Sequence, residues 1–262
     1  MARVKSRAGS WLFLVLAGLY FLVPLLGTFL FSLRARKGVL SFLAYARVFS
    51  DPHFLGTFTF SLEMAVLTII VGLILLVPTT IWVHLRLPAA LPLIEVFALL
   101  PFVIPPIVLV FGLIRTYSRP PIALTGTPVL LVAGYVVISF PYIFRAIDTG
   151  LRSIDLRRLV EASQSLGAGW GRTLLRVVVP SIRVSLLSAA FLTVAIVIGE
   201  LTLAVMLNWP AFGPYMALMG RTLAYEPAAL AIVSFLLTWA AIGLLQAASR
   251  GLGGRAMASG PH

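Results

Sequence analysis

The run Trp11–Leu33, WLFLVLAGLYFLVPLLGTFLFSL, carries no charged residue. A helix rises about 1.5 Å per residue, so about 20 apolar residues cross the hydrocarbon core of a bilayer. This run is long enough. Arg3, Lys5 and Arg7 stand before it in the manner of a secretory leader. The run exceeds the about 7–15 apolar residues of a leader core, and no small-residue cleavage site precedes Arg34. It reads as an uncleaved membrane helix.

Working outward, comparable runs place further spans at about residues 62–84, 95–115, 128–147, 184–206 and 228–249. The expected fold class is an all-α integral membrane protein. A single transmembrane domain covers residues 1–262, with six transmembrane helices and both termini on one side. Composition agrees: 60% of residues are hydrophobic, 11% are charged and the mean hydropathy is +1.06. Soluble domains carry about 25% charged residues, so an ordinary soluble enzyme, a disordered tail and a coiled coil are excluded. Cysteine is absent, which removes disulfides, iron–sulfur clusters and thiolate chemistry.

The net charge of +12 would suggest nucleic acid in a soluble chain. Here the basic residues sit between apolar runs, so they report topology. With the N-terminus inside, 13 of the 20 basic residues face the cytoplasm and 7 face out. By the positive-inside rule the chain is N-in and C-in. The first helix alone is ambiguous, and the connection between spans four and five decides the orientation.

That connection, 148–180, is far longer than most. Asp155 is placed to cap a helix whose apolar residues Leu156, Leu159 and Val160 recur at helical spacing. Gly167 and Gly169 break the pattern. A second amphipathic piece, Trp170 to Val179, follows and Pro180 closes it. Two short helices bent around a glycine make a cytoplasmic knob.

Glu161-Ala162-Ser163-Gln164-Ser165-Leu166-Gly167-Ala168, with Pro180 thirteen residues after Gly167, resembles the EAA motif of type I, binding-protein-dependent ABC importer permeases. Ser163 replaces the second alanine, a small-for-small change with no expected consequence. In that family the motif forms a coupling helix docked on a separate ATPase. The resemblance implies that Asp155, Glu161, Ala162, Ser163, Gly167, Ala168 and Pro180 serve ATPase coupling. It also implies a second permease (identical or not), two ATPase subunits holding ATP and Mg, an extracytoplasmic solute-binding protein, and residence among the lipids of a bacterial inner membrane. No nucleic-acid partner is expected.

The chain itself is not expected to be an enzyme or to bind a cofactor or metal. Its only lysines, Lys5 and Lys37, stand in no P-loop context, and His53, His84 and His262 are scattered.

Asn208-Trp209-Pro210, Tyr225-Glu226-Pro227-Ala228-Ala229-Leu230-Ala231 and the region of Phe140-Pro141-Tyr142 are similar to spermidine/putrescine permease II proteins. The resemblance implies polyamine cargo. Other permeases of this group carry ferric iron, thiamine or phosphonates. A secondary transporter or channel is the rival class; it calls for inverted repeats and paired intramembrane charges.

Glu200 interrupts an apolar run, where a carboxylate costs about 2.5–3.5 kcal/mol unless it faces the bundle or water. It reads as a counter-charge for a cationic solute, as the partner of a polar group on a second permease, or as a residue beside a helix break at Gly199. Trp209 and Tyr215, with Phe212 and Tyr225, read as cation–π contacts on the substrate path or as an interfacial aromatic belt. Glu63 is expected in the first turn of span two, and Pro101, Pro105 and Pro106 are expected to distort span three.

Overall fold

The computed structural model describes residues 2–237, 239, 240 and 243, with side chains from residue 9 onward. The described residues are helical throughout, apart from turns and one isolated bridge between Arg36 and Val39. In chain order the helices begin with α1 (Ala2–Ser32), α2 (Leu43–Ser50), α3 (Pro52–Arg86), α4 (Leu91–Ala98) and α5 (Leu100–Val103). They continue with α6 (Pro106–Tyr117), α7 (Pro128–Arg152), α8 (Leu156–Ser165), α9 (Trp170–Thr173) and, after a π turn at Leu174–Val178, α10 (Val179–Ser181). The last are α11 (Arg183–Gly199), α12 (Thr202–Met206), α13 (Phe212–Thr222) and α14 (Glu226–Leu237).

Among the described residues, three helices are long and apolar enough to cross a membrane: Gly9–Ser32, Pro52–Arg86 and Pro128–Arg152. The number rises to five if the bent pairs Pro88–Val103 with Pro106–Tyr117 and Trp170–Ser181 with Arg183–Gly199 each count as one span. The expected sixth span, 228–249, begins in the apolar α14; beyond Leu237 it lies outside the described residues except at 239, 240 and 243.

Four boundaries differ from the sequence expectation. The helix of the second span, α3, starts at Pro52 rather than about residue 62, so Glu63 is deep in the helix and not in its first turn. The third span is not one helix. Ile104 is extended ahead of Pro105 and Pro106, and the two halves bend by 95°, because a residue before proline avoids the helical region and proline has no N–H to donate. The helix of the fourth span, α7, runs on to Arg152, past the expected start of the loop at 148. Ile147 and Leu151 keep the buried face going, and the charge of Asp148 is paired. The helix of the fifth span, α11, stops at Gly199 instead of about 206, and Thr202–Met206 is a separate short helix.

The chain divides into two compact units, Thr57–Pro214 and Met1–Gly56 with Tyr215–Ala240. In the latter, the apolar window of α1 has no buried residue, as suits a helix facing lipid. Polar links organise the rest. Ser32 Oγ and Tyr45 OH are 2.8 Å apart, and Arg47 Nη1 donates to the buried Glu226 Oε1 at 2.9 Å. Asp51 accepts from the His53 backbone N–H at 2.8 Å and from Tyr215 OH at 3.0 Å.

The Thr57–Pro214 unit holds two apolar cores. One joins Met64 and Ala65 of α3, Val110 of α6, Leu131 and Tyr135 of α7, Val197 of α11 and Leu203 of α12. The other joins Val77 and Ile81 of α3, Ile143 and Ile147 of α7, Leu156 and Val160 of α8, and Ala189 of α11. This second core reaches into the connection between α7 and α11 and holds it in place.

Candidate functional site

The segment 153–182 folds as the knob that its pattern of apolar and polar residues suggests. Asp155 caps α8: its carboxylate accepts from the Arg158 backbone N–H at 3.2 Å and pairs with Arg158 Nε at 3.0 Å. An N-cap of this kind contributes about 1 kcal/mol. One face of α8 turns Leu156 and Val160 into the core shared with α3, α7 and α11. Burying each such side chain is worth about 1.5–3 kcal/mol. Glu161 and Ala162 lie on the exposed face.

Gly167 ends the helix with φ at +79°, the left-handed region where a Cβ is strained. Its N–H donates to the Gln164 carbonyl, while the Ala168 N–H donates to that of Ser163. The chain turns back into α9, where Thr173 Oγ1 meets Ser163 Oγ at 3.0 Å in a buried contact. Pro180 sits in α10, just ahead of the 75° bend into α11.

Beside the knob lies a charge network that sequence reading missed. Asp148, 2% exposed, accepts from Arg152 Nε at 2.9 Å and lies 2.9 Å from His84 Nε2. Arg152 Nη2 reaches on to Glu95 Oε1. The ends of α3 and α7 are thereby tied to α4. The partners are 64 and 57 residues apart, so no local pattern announces them; a lone Asp among the buried apolar residues of α7 was the available signal.

Glu200 stands at the break between α11 and α12. Its carboxylate accepts from the backbone N–H of Leu203 at 3.0 Å and of Ala204 at 3.2 Å. The backbone carbonyl of Glu200 packs on Gly213, where a Cβ would come within 2.2 Å. Trp209 stacks on Phe60 with centroids 5.6 Å apart and an interplanar angle of 15°. Its indole N–H and the Tyr135 hydroxyl are buried with no hydrogen-bond partner among the described residues. Tyr215, expected with Glu200 and Trp209 on the substrate path, donates its hydroxyl hydrogen to Asp51 Oδ2 at 3.0 Å. The described residues hold no group of three or more His, Cys, Asp or Glu suited to a metal.

A family model described as "Binding-protein-dependent transport system inner membrane component" matches residues 85–250, well over half of the chain. The chain belongs to this family. The match contains α8, the Gly167 turn and the α11–α12 break. As a member of this family the chain is a multi-pass membrane transport component of the ABC-importer permease class and not a catalytic subunit.

Among solved structures it is similar to one titled "Crystal structure of an amino acid ABC transporter with histidines". The TM-score is 0.56 at 16% identity, covering 81% of this chain and 99% of that one. At this identity the likeness concerns the fold. No curated protein matches the chain.

Proposed function

We propose that this permease forms half of the translocation pathway of an ATP-driven importer in a bacterial inner membrane, with α8 as its coupling helix. The observation that carries the reading is the shared core. Leu156 and Val160 of α8 pack in one buried cluster with residues of α3, α7 and α11. A push on α8 therefore moves three apolar helices together, since close-packed interiors transmit displacement rather than absorb it.

In this reading the chain has six spans, N-in and C-in, and works beside a second permease. Two ATPase subunits bind ATP and Mg, and an extracytoplasmic binding protein delivers the solute. Closure of the ATPase dimer pushes the knobs and rocks the helices around the pathway. The resemblance of 208–210 and 225–231 to spermidine/putrescine permeases supports a polyamine as cargo. The backbone partners of Glu200 weigh against its being a free counter-charge, because both oxygens already accept hydrogen bonds. Ferric iron, thiamine and phosphonate stand as alternative cargoes.

Co-purification with the ATPase subunits tests the class. Wild type retains them, and Gly167→Asp or Glu161→Lys loses them. Uptake driven by an ion gradient alone in ATP-free vesicles would overturn the proposed energetics. For the cargo, reconstituted vesicles are offered labelled putrescine, spermidine, thiamine, ferric citrate and a phosphonate. ATP-dependent uptake of a polyamine that Glu200→Gln leaves unchanged would remove Glu200 from the pathway.

A further inference from the structure

A cavity of about 590 Å³ lies within the Thr57–Pro214 unit, between α4 and α5, the end of α7 and the start of α11. The 95° bend ahead of α6 turns α4 and α5 out of line with it, and they lean on α7. Beside the cavity α7 and α11 approach closely: a Cβ on Gly150 would come within 2.5 Å of Ser185 Oγ. The volume is that of a binding site rather than a packing defect, since ligand cavities measure about 300–1,000 Å³.

Its lining changes character along every wall. On α11 it runs from Ser185 and Ser188 to Leu192, about 10 Å further along the axis from Ser185. On the α4–α5 side it runs from Glu95 to Leu99 and Phe102, and on α7 from Thr149 and Arg145 to Pro141. The polar ends all lie towards the knob: Arg152 closes α7 and bonds Glu95, and α11 begins just after α10. At the apolar end Leu99, Phe102 and Leu192 are exposed.

One charge at the polar end is open. Arg152 and His84 take the carboxylates of Asp148 and Glu95. The hydroxyls of Thr149 and Ser188 donate to carbonyls of their own helices at 2.8 and 3.0 Å. Arg145 is exposed and has no ion-pair or hydrogen-bond partner among the described residues. The hydroxyls of Ser185 and of Tyr142, one turn deeper than Arg145, have none there either. A guanidinium offers a planar fork of donors that matches a phosphate.

We infer that this cavity is a site for one anionic phospholipid, with its phosphate on Arg145 and Ser185 and an acyl chain along Leu99, Phe102 and Leu192. The Tyr142 hydroxyl, between the two ends, meets the ester oxygens. Basic pockets between membrane helices take acidic head groups by the same attraction. A freely soluble solute does not call for a lining that passes from charge to hydrocarbon along three walls. A molecule anchored at the membrane surface does. The inference uses only the chain's place in a membrane and is independent of its cargo and of ATP-driven uptake.

The full-length permease, delipidated in a neutral detergent, is titrated with phosphatidylglycerol, and bound lipid is counted by native mass spectrometry. Wild type is expected to hold one lipid tightly. Arg145→Gln weakens it about tenfold. Leu192→Trp fills the apolar end, keeps the charge and weakens it comparably. Arg86→Gln removes an exposed guanidinium outside the cavity and leaves binding unchanged. Because Arg145 and Leu192 are exposed, both variants keep the wild-type thermal transition without lipid. Added phosphatidylglycerol raises the transition of wild type and not that of Arg145→Gln.

Equal affinity of wild type and Arg145→Gln overturns the inference, as does equal affinity for phosphatidylglycerol and phosphatidylcholine. Displacement by glycerol phosphate as readily as by a second phospholipid assigns the cavity to a small solute and overturns it too. Uptake is measured separately. A chain that imports solute with ATP but holds no lipid loses this inference alone; one that holds the lipid and imports nothing with ATP loses the permease reading alone.

Discussion

Ser163 Oγ and Thr173 Oγ1 lie 3.0 Å apart in a buried contact that joins α8 to α9 across the Gly167 turn. Serine at this motif position is therefore more than a small residue standing in for alanine. It adds a hydrogen bond that closes the knob. Ser163→Ala leaves the Thr173 hydroxyl buried without this partner and is expected to destabilise the chain by about 1–2 kcal/mol. Thermal unfolding in detergent reads the effect, and Ser163→Ala with Thr173→Val recovers most of the loss. A double variant no better than the single one removes the proposed link.

Two glycines respond differently to the same change. At Gly213 an added Cβ would sit 2.2 Å from the Glu200 carbonyl oxygen, a backbone atom with nowhere to move. Gly213→Ala should destabilise by about 3 kcal/mol or more and reduce the yield of folded protein. At Gly167 nothing lies within 4 Å, and only its φ of +79° resists a side chain. Gly167→Ala is expected to cost about 1–2 kcal/mol and Gly167→Asn less, since asparagine tolerates the left-handed region. Equal losses at both sites would contradict this account.

Asp148 is the hub of the network at the ends of α3 and α7, with side-chain exposure of 3% against 53% for Arg152. Asp148→Ala removes hydrogen bonds to His84 and Arg152 and is expected to cost about 2–3 kcal/mol. Arg152→Lys should be intermediate, because one ammonium cannot replace a fork that spans Asp148 and Glu95. Coupling should fall with stability: the variants hydrolyse ATP in the assembled transporter with less uptake per ATP. Unchanged stoichiometry would make the network purely structural.

The Asp51–Tyr215 pair sets two pH limits. The His53 backbone N–H holds the Asp51 carboxyl below its ordinary 3.8; burial opposes this, and the Tyr215 hydroxyl assists it. The stability it contributes is present above about pH 4 and is lost as the pH falls through the lowered folded value. Burial, with the hydrogen bond to Asp51, raises the Tyr215 phenol above its ordinary 10.0. That contribution is full below about pH 10 and is lost as the pH rises through the raised value. Tyr215→Phe should move the Asp51 titration upward, though still below 3.8, because the larger cause, the His53 N–H, remains. Carboxyl NMR of labelled aspartate reads the shift, and an unmoved titration would break the assigned link.

Much of the fold was legible because a bilayer leaves the chain few choices. An apolar run must satisfy its own backbone, and a helix does so within the segment. Trp11–Leu33 and the apolar part of α7, 128–144, follow from this alone. The knob was legible for a different reason: Asp155, the apolar pair Leu156 and Val160, and Gly167 are local signals read within a few residues.

What local pattern does not contain is the partner brought by the fold. Glu200 was open between counter-charge, partner contact and helix break while its neighbours were unknown. The structure shows the break, with the Leu203 and Ala204 N–H groups as partners of the carboxylate. Tyr215 hydrogen bonds Asp51, 164 residues away, a partner that nothing in its own stretch of sequence announces.

Composition and periodicity by themselves therefore determined that this chain is a helical membrane protein with a capped, glycine-turned knob, since solvent and backbone act residue by residue. Only the tertiary structure decided what that knob is joined to. The shared core with α3, α7 and α11 and the Asp148 hub both depend on side chains that meet across long stretches of chain, where burial and charge pairing are properties of the folded arrangement.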